Sequence, residues 1–139
     1  MAIIRFEDEQ GRARWGEERD DGTATLYDGD PVRDGVLTDE KARVGRLLAP
    51  VVPAAIFGIG LNYRRHAAET NQELPRYPVV FMKPNWTVIG PGDPVLLPAC
   101  QIKGSEVDYE CELAVVIGRE TRDVPEERAL EHVFGYTCG

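Results

Sequence analysis

DYECELAVVIG, residues 108–118, is a run of Leu, Ala, Val and Ile entered through carboxylates at 108, 110 and 112. In a strand, side chains i and i+2 share a face. Asp108, Glu110 and Glu112 are thus expected on one side, with Tyr109, Cys111, Leu113, Val115 and Ile117 on the other. Past Glu112 the acidic side continues as Ala114 and Val116, so both sides end apolar. Neighbouring carboxylates beside an apolar interior repel one another and resist desolvation. Three arrangements relieve them: a captured proton, a neutralising cation, or a solvated face. A hard divalent ion such as Mg²⁺ takes oxygen ligands of this kind. From the spacing alone, an edge strand with a wet acidic face is the favoured reading.

Working outward, the 139 residues suffice for one modest domain, or a small domain plus part of a larger one. A hydrophobic content of 42% is ordinary for a globular protein. The start, MAIIRFEDEQ, lacks the basic and apolar regions of a signal peptide, and no apolar run is long enough for a membrane span. A cytoplasmic location is expected, with no membrane partner. The net charge of −8 argues against nucleic acid, which needs a basic face. Cys100, Cys111 and Cys138 lack CxxC spacing and read as reduced thiols.

Along the chain, IIRF, ARWGEE and TATLYDG alternate short strand patterns with turn residues and predict a small meander. DEKARVGRLLAP fits a short helix or a strand. Pro50 and Pro53 mark a boundary, giving a small N-terminal β domain over residues 1–52 and a second unit over 53–139. In the second unit AAIFGIG, PVVFMKP, VLLP and YECELAVVIG read as strands. LNYRRHAAET has helical spacing, and VPEERALEHVFG predicts a helix opened by Pro125 and closed before Gly135.

His66 and Glu69 in NYRRHAAE stand at i and i+3, neighbours on a helix. A carboxylate beside imidazole raises its basicity and fixes its tautomer, as a water-activating base requires. The spacing fits an ordinary surface ion pair as readily. Lys83 closes VVFMK, where a lysine snorkels outward or meets a substrate carboxylate. His132 reads as a surface residue. The GIG at 58–60 lacks the GxGxxG context of a dinucleotide site.

In order, LLAPVVPAAIFGIGLNYRRHAAE, PVVFMKP, IGPGDPVLLP, VDYECELAVVIGR and FGYTCG resemble the fumarylacetoacetate hydrolase family over about residues 46–139. The resemblance rests on ordered motifs: GxNYxxHxxE, FxKP, a GPGD-type turn, DYExEL and a GYT. It implies a mainly β, α+β fold, a mixed β-sandwich roll that this chain would form only in part, preceded by the small N-terminal domain. It implies Glu110 and Glu112 as metal ligands for Mg²⁺ or Mn²⁺, His66 and Glu69 as a water-activating dyad, and Lys83 near the substrate. The implied reaction is metal-dependent hydrolysis or lysis of a C–C bond in a 2-oxo acid, an acylpyruvate or diketo acid, through a metal-stabilised enolate. The alternatives are an isomerase or decarboxylase of an aromatic ring-cleavage product, or a truncated non-catalytic subunit.

The family's third metal ligand, an aspartate shortly after GYT, falls past Gly139. Asp108 shares the acidic side, but the family does not use that position as a ligand. Half a sandwich leaves strand edges and apolar faces uncovered, so a homodimer or a complementing chain is expected.

Overall fold

The computed structural model describes residues 1–100, 104 and 107–139. The N-terminal meander forms as its alternating pattern predicts. Strands β1 (Ile3–Glu7), β2 (Ala13–Glu18), β3 (Thr23–Asp28), β4 (Val36–Arg43) and β5 (Leu47–Leu48) make one antiparallel sheet in the order β4-β3-β2-β1-β5. DEKARVGRLLAP therefore resolves as strand, its first part in β4 and its Leu pair in β5.

Asp8 closes the β1–β2 turn. Its carboxylate accepts N–H bonds from Gln10 at 3.0 Å and Arg12 at 2.9 Å, and the Arg12 guanidinium donates to its other oxygen at 2.9 Å. Partial desolvation pushes this carboxyl upward, but the Arg12 and Gln10 donors outweigh it and hold it below its ordinary value. Phe6, Ala24 and Leu26 form the buried core, with Ile4, Ala42 and Val44 against them. Gly16, opposite Leu26, lets β2 and β3 approach: a Cβ there would lie 2.7 Å from that of Ala24.

The second region is built of two hairpin-like pairs. β6 (Ile56–Gly60) leads into helix α1 (Arg64–Glu69) and returns through a loop to β7 (Val79–Lys83), antiparallel to β6. The Phe81 ring lies over Gly58, its cross-strand partner, in space a side chain would otherwise fill. β8 (Leu113–Ile117) pairs antiparallel with β9 (Val133–Cys138).

Three local expectations are corrected. The strand over 109–118 is shorter: it runs Leu113–Ile117, with one further backbone exchange between Glu112 and Gly139, and among the described residues no strand pairs with 108–111. VPEERALEHVFG is not an α-helix. Residues Glu126–His132 form a 3₁₀ segment with no buried side chain, and the β9 ladder takes Val133 and Phe134. Without an apolar face to bury, this segment gains no packing support for an α-helix. VLLP forms no strand, and Val95, Leu96 and Leu97 are exposed between Pro94 and Pro98. Among the described residues, no helix is long and apolar enough to cross a membrane.

Within the first region, Trp15 donates its indole N–H to the Pro50 carbonyl at 3.3 Å. An ion pair joins the two regions. Arg46 reaches Asp93 at 3.0 Å and Glu7 at 3.4 Å, linking β1 to the GPGD turn.

Candidate active site

The α1 segment and the approach to β8 supply the site. Tyr63 stands in the N-cap position with extended backbone, and its carbonyl accepts the N–H of Ala67. Ala67 is the helix's buried residue and seats it. His66 and Glu69 are left exposed, and the Thr70 hydroxyl donates to the His66 carbonyl at 2.9 Å. On the other side, Glu110 lies outside any helix or strand, and Glu112 is fixed by the two backbone bonds it exchanges with Gly139, each 2.9 Å.

These pieces meet across 44 residues of sequence. His66 Nε2 stands 4.0 Å from Glu110 Oε1, both side chains about half exposed. That distance brings imidazole and carboxylate into electrostatic range without a direct hydrogen bond. Glu69 lies beyond 4.0 Å from the His66 ring, so the carboxylate facing the imidazole comes from the 108–112 segment rather than from the same helix. Asp108 turns to the N–H of Tyr109 at 2.9 Å. Lys83, at the end of β7, lines a shallow open cleft of about 320 Å³ with Ala55, Met82, Asn85 and Trp86. It makes no ion pair with the other candidates among the described residues.

Among the described residues no cluster of three or more His, Cys, Asp or Glu side chains is arranged to hold a metal ion. Glu110 and Glu112 provide oxygen donors at alternate positions, the donor type a hard divalent ion takes while keeping several waters. One contact escaped the sequence reading. The Tyr63 hydroxyl accepts the Leu113 N–H at 3.0 Å, joining the NYRRH segment to the start of β8. No pattern in the sequence announces a contact between residues so far apart.

Residues 55–139 match the family description "Fumarylacetoacetate (FAA) hydrolase C-terminal". The chain belongs to the fumarylacetoacetate hydrolase family. An uncharacterised protein of Archaeoglobus fulgidus is 45% identical over 128 residues, 92% of this chain and 47% of that protein. The mitochondrial oxaloacetate tautomerase fahd2 of Xenopus laevis is 44% identical over 92 residues, 66% of this chain and 28% of that one. Among solved structures, 5-carboxymethyl-2-hydroxymuconate delta-isomerase from Mycobacterium smegmatis superposes with a TM-score of 0.76 at 36% identity, covering 100% of this chain and 53% of its own. The chain thus spans less than half the length of these curated relatives and about half of that structure. The mainly β architecture is that of the fumarylacetoacetate hydrolase fold over this span. Enzymes of the family commonly use a divalent metal.

Proposed function

We propose that these residues carry part of the active site of a divalent-metal-dependent enzyme acting on 2-oxo acids. The observation that carries this reading is the approach of His66 to Glu110 at 4.0 Å, two groups that the fold brings together from distant motifs. Glu110 and Glu112 would hold Mg²⁺ or Mn²⁺, and a bound ion supplies positive charge that stabilises an enolate. His66 takes or delivers the proton at the reacting carbon or at water, with Glu69 on the same helix as its proposed partner. Lys83 offers a point charge for a substrate carboxylate. In an acidic chain, such local cations are what make an anionic substrate welcome.

The leading reaction is hydrolytic C–C cleavage of an acylpyruvate or diketo acid, in which His66 activates water for attack on the distal carbonyl. A second reading is favoured by the named activities of two relatives, a tautomerase and a delta-isomerase. There the same groups move a proton along the carbon skeleton without water attack. A homodimer or a complementing chain is proposed as the partner.

Turnover of oxaloacetate tautomers and of an acylpyruvate, followed with and without Mg²⁺, tests the proposal. Glu110→Gln is expected to lower metal-dependent turnover by about 10- to 100-fold. Pyruvate release points to hydrolysis, and keto–enol interconversion alone to the second reading. Activity that survives both chelation and Glu110→Gln rejects the metal-dependent site.

A further inference from the structure

We propose that Tyr63 is a positioning residue, one that sets the distance between His66 and Glu110; this rests on the reading of those two groups as working parts of the site. The argument begins in the β8–β9 ladder. Glu112 and Gly139 exchange both of their backbone bonds, so they form a hydrogen-bonded pair. In an antiparallel ladder the next pair is non-hydrogen-bonded, and its N–H groups point away from the partner strand. That pair is Leu113 with Cys138. The Leu113 N–H therefore faces the outer edge of β8, where no strand lies among the described residues.

Tyr63 occupies that edge. Its hydroxyl oxygen accepts the Leu113 N–H at 3.0 Å, while its own carbonyl accepts the Ala67 N–H at 3.1 Å and opens the helix that bears His66. One residue thus starts α1 with its backbone and holds the root of the Glu110–Glu112 segment with its side chain. Its side chain does not cap the helix, which leaves the hydroxyl free for this contact. Among the described residues no other side-chain hydrogen bond joins α1 and its N-cap to residues 108–113. The 4.0 Å separation of His66 and Glu110 lies three residues from each end of this tie.

The test is Tyr63→Phe in the intact protein, which keeps the ring and removes the hydroxyl. The nuclear Overhauser contact between the His66 ring and the Glu110 side chain is expected to vanish, and Leu113 amide exchange to quicken by about fivefold. The kcat is expected to fall by about tenfold with KM changed less than twofold and Tm unchanged. Should that variant fail to fold, Leu113→Pro removes the donor instead; the N–H it deletes lies outside the β8–β9 ladder, and the extended chain before it accepts proline. A His66–Glu110 contact that persists without the hydroxyl or its donor overturns the proposal, as does unchanged turnover once the contact is lost. A wild-type protein without turnover on any 2-oxo acid removes the functional reading instead, and the Overhauser contact then decides the role of Tyr63 by itself.

Discussion

The sheet of residues 3–48 and the strand pairs of residues 56–138 are built from similar strands and end in opposite situations. The first closes over a core: Phe6 is fully buried, with Ala24 and Leu26 beside it. In the second, Ala67 is the buried hydrophobic residue among those described. Phe57 is 61% exposed, Met82 65%, Val115 48% and Tyr136 59%. Val115 and Tyr136 are cross-strand partners, so the β8–β9 pair presents one apolar side outward. An isolated two-stranded pair is marginal in water, and three or more strands with a buried face are needed for independent stability. The candidate catalytic groups therefore sit on the region that is less self-sufficient. The region that buries its own apolar side chains carries none of them.

This contrast can be broken at Phe6 first. Phe6→Ala removes the one large side chain that is fully buried among the described residues and is expected to cost about 3–5 kcal/mol in urea unfolding. The loss should appear in the hydrogen exchange of β1–β3. A cost near zero would mean that the N-terminal sheet is no more a core than the strand pairs are.

Acid sharpens the same contrast. The Asp8 carboxyl is held below its ordinary 3.8, so the unfolded chain binds this proton more readily than the folded one. The stability it lends is complete above about pH 4 and drains away as pH falls through the lowered folded value. Amide protection at Gln10 and Arg12 is expected to fade over that acid range in the wild type, and Asp8→Asn to abolish this pH dependence.

The smallest effect is expected at Val115. Val115→Thr on an uncovered face should change stability by no more than about 0.5 kcal/mol, measured by denaturant unfolding. A clearly larger loss would show that another surface covers β8 in solution, through a second copy or a partner.

Much of this was legible because strand periodicity is local. The meander, AAIFGIG, the NYRRHAAE helix and VVFMK all fall where their patterns place them, since each needs only alternation or helical spacing between turn residues. The sequence misled where a neighbour decides. Among the described residues, 108–111 have a strand pattern without a paired strand, and the apolar VLLP joins no sheet. VPEERALEHVFG has helix-start chemistry, yet the ladder claims its last apolar residues. At the candidate site, the residue types were readable from the ordered motifs. Their pairing was not, because the approach of His66 to Glu110 depends on how two distant segments dock.

The exchange of backbone bonds between Glu112 and Gly139 also fixes a direction. Continued in register, an extended chain at Gly139 runs beside Cys111, about one strand spacing from the two glutamates. Any side chain carried there acts on the acidic pair at close range, whatever segment supplies it.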